Sequence, residues 1–166
     1  MEYRMEHDTM GEIAVPADCH WGAQTQRSLQ NFRIGGQCQP EEIIRAFAFL
    51  KDACAQANAA FGKLDQGRAD AISAVCREIR EGKWASQFPL VVWQTGSGTQ
   101  TNMNVNEVIA HLAGERGTAL HPNDQVNLSQ SSNDTYPSAL HIAAVLAVTG
   151  QVLPAARRLE ESFRSL

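Results

Sequence analysis

The chemistry-bearing stretch of this chain runs from Gln94 to Glu107, Gln94-Thr95-Gly96-Ser97-Gly98-Thr99-Gln100-Thr101-Asn102-Met103-Asn104-Val105-Asn106-Glu107. It begins with glycines and hydroxyls, continues with amides, and leads into the apolar positions Val108, Ile109 and Leu112. That order predicts a loop feeding a helix N-terminus, where free backbone N–H groups and the helix dipole favour an anion. Between Gln94 and Asp134 there are ten Asn or Gln and a single basic residue, Arg116. A pocket built this way holds a small anion with neutral donors, which excludes most phosphate-binding readings.

That stretch and two further segments carry polar chemistry. Gly96-Ser97-Gly98-Thr99 taken alone fits an ordinary loop as well as an anion cradle. Asn102, Asn104 and Asn106 tip the balance, because asparagine is a poor choice inside a helix unless a ligand or a buried polar network compensates. His121-Pro122-Asn123-Asp124 reads on spacing alone as a turn between helices. Ser129-Gln130-Ser131-Ser132-Asn133-Asp134 fits either a capping segment or a site, six polar residues being more than one cap requires. His141, inside an apolar stretch, reads as a hydrogen-bonded core histidine. His7, His20 and His111 form no HxxxH or HxH pair, so no metal site is expected. Glu107 reads as a structural acceptor for neighbouring amides.

These segments need elements to position them. The 166 residues suffice for one domain, or for one and part of another. Residues 1 to about 39 read as irregular, with one short strand at Ile13-Ala14-Val15. A helix is predicted from Pro40, as a first helical residue, through Ile43, Ile44, Phe47, Leu50, Cys54 and Ala57 to a Gly62 stop. A second runs from about Asp65 to Glu81 along Ala69, Ile72, Val75, Cys76 and Ile79. Phe88 to Trp93 reads as extended and buried, since Pro89 opposes a helix interior. A third helix follows the glycine loop to about Glu115. From Pro137, placed in a first turn capped by Asn133 or Asp134, the sequence is apolar nearly all round through Val148, which demands burial on every side. Gly150 and Pro154 bend such a helix without ending it.

Composition excludes several classes. Net charge is −4 and no basic stripe interleaves with aromatics, so nucleic acid is not an expected partner. Met1 to Met10 carries no apolar core of a signal peptide, and no apolar run reaches the roughly 18 residues of a membrane span. Cys19, Cys38, Cys54 and Cys76 are dispersed without a CxxC pair, which fits reduced thiols in a cytoplasmic protein.

Taken together, Asp8 to Glu12, Trp21 to Ser28, Phe88-Pro89-Leu90, Gln94 to Glu107, His121 to Asp124 and Ser129 to Thr135 resemble the class II fumarases of the fumarase/aspartase superfamily, in order and spacing. Aspartases resemble the same scaffold but carry tyrosine-glycine at Trp21-Gly22, alanine at Ser97 and serine-threonine-asparagine at Ser131 to Asn133. The resemblance implies a mainly α fold: an N-terminal lyase domain over 1–134 and, over 135–166, the first long helix of a central helical bundle. It implies reversible anti hydration of fumarate to L-malate in the tricarboxylic acid cycle, by a cytoplasmic homotetramer without metal or organic cofactor. Ser97, Gly98 and Thr99, with Ser131, Ser132 and Asn133, would bind a substrate carboxylate. His121, Pro122, Asn123 and Asp124 would form a second dicarboxylate site, lacking the basic residues often found before it, since Gly117-Thr118-Ala119 stands there. The general-acid histidine and the mobile catalytic loop of that family would follow Leu166, so this chain alone is expected to be inactive, with a helix from Pro137 that self-associates. The alternatives are an aspartate ammonia-lyase and a non-catalytic dicarboxylate-binding or oligomerisation module.

Overall fold

A computed structural model describes residues 2–166. The N-terminal segment is more regular than its sequence suggests. Strands β1 (Tyr3–Asp8) and β2 (Gly11–Pro16) form an antiparallel hairpin, in register from Tyr3 opposite Pro16 to Asp8 opposite Gly11. The turn holds because Met10 donates its N–H to the Asp8 carboxylate at 2.9 Å and Gly11 takes a φ of +106°. Ile13 and Val15 of β2 point into the core. Helix α1 (Ala23–Asn31) follows, where no helix is expected from the sequence.

Helices α2 (Glu41–Ala60) and α3 (Gln66–Arg80) are the two predicted helices, and they pack against each other. Pro40 sits at the N-cap of α2 with ψ of 139°, one position earlier than expected, and Glu41 and Glu42 occupy the first turn, where the dipole favours acids. Gly62 closes α2 at φ +68°, as its C′ position demands. Asp65 caps α3 by accepting the Arg68 N–H at 2.9 Å. Phe47 of α2, Ile72 and Val75 of α3 and Val105, Val108, Ile109 and Leu112 of α4 (Thr99–Glu115) fill the core.

The Phe88–Trp93 run is extended, bridging Val91 to Cys38, but only Phe88 and Leu90 are buried, and Trp93 is 63% exposed. Pro122–Val126 forms a single short helical turn. Helix α5 (Ser132–Ala147) starts earlier than expected. Its N-cap is Ser131, Asn133 and Asp134 lie in its first turn, and Pro137 is inside the helix, its missing N–H leaving the Asn133 carbonyl without the usual partner. A wide turn over Val148–Val152 takes up Gly150, and α6 (Leu153–Arg164) begins with Pro154 in its first turn. The rod is thus continuous from Ser132 to Arg164, 33 residues.

Two sequence expectations fail on this rod. Only Thr135, Ala139 and Ala143, one stripe at fourfold spacing, are buried; Leu140, Val145, Leu146, Val148, Val152 and Leu153 are exposed, and so is His141. The demand for all-round burial is not met by this chain. An 18-residue window of the rod also reaches mean hydropathy 1.7, long and apolar enough by composition to cross a membrane. Ser138, His141, Thr149 and Gln151 interrupt its apolar character, and 11% of that window is buried.

Candidate functional site

The glycine loop and the Ser129–Asp134 segment meet. Ser97 Oγ lies 2.9 Å from Thr99 Oγ1, which lies 2.9 Å from Ser132 Oγ. The three hydroxyls form a chain joining the N-terminus of α4 to that of α5. Gly98 and Ser131 are the N-caps, and neither helix receives a side-chain cap from them. Both dipoles and their first N–H groups therefore favour negative charge at one place. Ser97, Ser131 and Asn133 are exposed and Thr99 and Ser132 half-buried, so the donors are open to a ligand.

Gly98 makes this junction possible. Its φ is +70°, and a Cβ there would sit 2.2 Å from the Tyr136 ring of α5. Backbone conformation and close approach both require glycine. Tyr136 in turn packs 6.0 Å, centroid to centroid, from Phe47 and donates its hydroxyl to Gln39 Oε1 at 3.2 Å. Gln94 steadies the loop by accepting the Thr101 N–H at 3.0 Å.

Beneath the hydroxyls lies a buried network that spacing along the chain does not announce. Lys51 of α2 is fully buried, and its Nζ donates to Asn102 Oδ1 at 2.7 Å, Asn127 Oδ1 at 2.9 Å and Gln130 Oε1 at 2.7 Å. Asn102 also accepts from Thr135 Oγ1 at 3.2 Å, and Asn106 donates to Asn127 at 3.3 Å. The asparagines of α4 thus have partners within the chain, Asn104 donating to the Gln87 carbonyl, except that the buried Asn106 Oδ1 accepts no bond. Burial pulls the Lys51 ammonium down to about 7.

Glu107 is an acceptor, but for backbone rather than neighbouring side-chain amides. It takes the N–H groups of Gly22, Gln24 and Thr25 at 3.0, 2.8 and 3.0 Å, capping α1 from across the fold. Burial raises its pKa, and those bonds oppose the rise. Gly22 fits because a Cβ would stand 3.0 Å from the Glu107 carboxyl. Arg27 grips Asp8 through two bonds of 2.9 and 3.0 Å, and this pairing holds the Asp8 carboxyl below its ordinary range. The Asp8–Glu12 and Trp21–Ser28 segments are therefore stapled together as support.

The His121–Asp124 segment lies apart. His121 is the N-cap of the short Pro122–Val126 turn, its Nδ1 accepting the Asp124 N–H at 3.2 Å. His121, Pro122 and Asn123 line a cleft of about 560 Å³ with Asp8, Met103 and His111, and among the described residues none of the hydroxyl chain reaches its wall. His20 and His111, without ligand spacing in sequence, are brought with Glu115 to within 4.8 Å of one another.

The fold is mainly helical, with a small hairpin and two helix N-termini meeting at a hydroxyl chain. The sequence profile of the lyase family matches residues 11–166, and the chain belongs to that family. It is 56% identical over 169 residues to class II fumarate hydratase of Bacillus subtilis and 55% identical over 171 residues to that of Thermus thermophilus. Each match covers 98% of this chain and 37% of the relative, so the chain spans little more than a third of their length. Among solved structures, class II fumarase from Schistosoma mansoni superposes with a TM-score of 0.92 at 42% identity, covering 95% of this chain and 35% of that one. Fumarate lyase:delta crystallin from Brucella melitensis gives 0.93 at 39%, covering 99% and 40%.

Proposed function

We propose that this chain is the carboxylate-binding part of a class II fumarate hydratase, which adds water reversibly and anti across fumarate to give L-malate. The observation that carries the reading is the hydroxyl chain Ser97–Thr99–Ser132 at two helix N-termini. Removing a proton from the carbon beside a carboxylate spreads negative charge into that carboxylate. Oriented neutral donors fixed before reaction stabilise that charge most effectively. Ser97, Gly98 and Thr99 supply them from α4, and Ser131, Ser132 and Asn133 from α5. Neutral donors bind the dianion without the strong ground-state pairing that an arginine would add, which suits a site favouring the transition state over the substrate.

In this reading residues 1–134 form the lyase domain and residues 135–166 open a central bundle. The exposed apolar rod packs against partner subunits of a homotetramer working in the cytoplasm, in the tricarboxylic acid cycle. The acid and base come from segments outside this chain, which is inactive alone. His121, Pro122, Asn123 and Asp124 form a second dicarboxylate site on the separate cleft.

The test follows fumarate absorbance with the longest chain the gene encodes, given L-malate or L-aspartate. Fumarate from malate, with Ser97→Ala and Thr99→Val each lowering kcat/KM at least about tenfold, is expected, one oriented donor being worth 10²–10³ in rate at most. Fumarate from aspartate instead would replace the hydratase by an ammonia-lyase on the same scaffold.

A further inference from the structure

The cluster of His20, His111 and Glu115 lies outside the hydroxyl site and has no part in the proposed hydration. His111 and Glu115 stand four residues apart on the last turns of α4, and His20 comes from the segment just before α1. His111 Nε2 lies 3.3 Å from Glu115 Oε1, and His20 Nδ1 lies 3.5 Å from the same oxygen. In a tetrahedron with metal–ligand distances of about 2.0–2.1 Å, the edges between ligand atoms are about 3.3–3.4 Å. The two measured contacts match such edges.

The alternative is a hydrogen-bonded triad with no ligand, and one observation speaks against it. His20 Nδ1 is a buried nitrogen with no hydrogen-bond partner, although Glu115 Oε1 is near. Ligand atoms of a tetrahedral site aim at its centre rather than at one another, so a close contact with poor hydrogen-bond geometry is what such a site presents. The ring of His20 is held in place, edge-on to Trp84 at 5.0 Å, while its backbone N–H donates to Gln87 Oε1 at 2.7 Å.

We propose that His20, His111 and Glu115 bind a divalent transition cation of the zinc type, tying the segment before α1 to the C-terminal end of α4. Two imidazoles and one carboxylate suit zinc, cobalt or nickel rather than the all-oxygen sites of magnesium and calcium. Glu115 is half exposed and lines the cleft with His111, which leaves a path for the ion and room for water as fourth ligand. Arg4 is the nearby positive charge, and its ion pair with Glu6 at 2.7 Å offsets it.

The experiment titrates the full chain with zinc chloride against a chromophoric chelator at pH 7.5, then repeats it with cobalt. One saturable equivalent is expected. Cobalt should give the visible bands of a tetrahedral nitrogen and oxygen site, without the near-ultraviolet band of a thiolate ligand. His20→Ala, His111→Ala and Glu115→Gln should each weaken zinc at least about tenfold, the loss that even indirect support of a ligand produces. Circular dichroism and melting in chelator establish that each variant is folded, and Glu115→Gln preserves shape. Cys19→Ser should leave affinity unchanged. Absence of saturable binding by the unaltered chain, binding that survives the histidine variants, or binding lost in Cys19→Ser would each overturn the proposal.

Discussion

Helix α4 and the rod that follows it invert each other. In α4, Asn102, Asn104, Asn106 and Glu107 are buried, while along the rod Leu140, Val145, Leu146 and Val152 face solvent. Most polar residues of α4 are tolerable inside because they find partners within the chain, Asn102 with Lys51 and Asn104 with the Gln87 carbonyl, although Asn106 Oδ1 accepts no bond. The apolar residues of the rod find none beyond the buried stripe of Thr135, Ala139 and Ala143 and the partly buried Tyr136 and Ile142. Buried polarity therefore marks where this chain largely supplies its own partners, and exposed apolarity marks a surface it does not cover.

The sharpest way to break the contrast is Lys51→Met. It orphans Gln130 Oε1, at about 1–3 kcal/mol, and removes one donor each from Asn102 and Asn127, which keep Thr135 and Asn106, at about 0.5–1.5 kcal/mol each, partly offset by no longer burying a charge. A net loss of about 3 kcal/mol in urea unfolding is expected. A loss under about 1 kcal/mol would mean that the amides of α4 repair themselves. Gly98→Ala comes next. Its Cβ would strike the Tyr136 ring at 2.2 Å in a left-handed backbone, so about 2–3 kcal/mol should go, read as a fall in melting temperature of several degrees. An unchanged melt would show the α4–α5 junction to be slack. Glu107→Gln should cost about 2 kcal/mol, because an amide cannot accept three backbone N–H groups as a carboxylate does.

A pH series tests the same network more gently. Unfolded, Lys51 keeps its proton to about 10.5, whereas the buried ammonium releases it at about 7. Between those values the unfolded chain binds more protons, so stability should rise with pH. Burial raises the thiols of Cys54 and Cys76 and acts in the opposite sense above about 9. The clean window is pH 7 to about 8.5, with a gain of roughly 1–2 kcal/mol that disappears in Lys51→Met. The smallest effect belongs to the rod: Val145→Gln with Leu146→Gln should alter the chain's own unfolding by less than about 0.5 kcal/mol. The same pair should reduce self-association measured by sedimentation velocity. A large stability loss would mean that the rod is internally packed after all.

Legibility in the sequence followed the range of the interactions. Helices α2, α3 and α4 have local causes, an apolar stripe and a nearby stop or cap such as Gly62 or Asp65, and all three were readable. Of the β1–β2 hairpin only Ile13-Ala14-Val15 was readable, as a short strand inside β2; β1 was missed because its alternating face of Tyr3, Met5 and His7 is exposed and signals no core. Helix α1 buries only Ala23, Thr25 and Ser28, and its cap, Glu107, comes from more than eighty residues away. The hydroxyl residues Ser97, Thr99 and Ser132 were named from segments that the fold joins, although nothing in the spacing of either segment says that they touch. Lys51 and the His20–His111–Glu115 cluster stayed hidden for the same reason, since their partners are distant in sequence and only the packing of α4 collects them.

That packing gives α4 the character of a strut. Thr99 stands at its head, and Glu107, eight residues on, is pinned to three amides of α1, roughly 12 Å down the axis at about 1.5 Å per residue. The pin opposes sliding and rotation of α4, so the position of Thr99 is set by an anchorage well below it. A methyl group added at Gly22, 3.0 Å from that anchorage, would be felt as an axial displacement at Thr99, by a residue that never approaches the ligand.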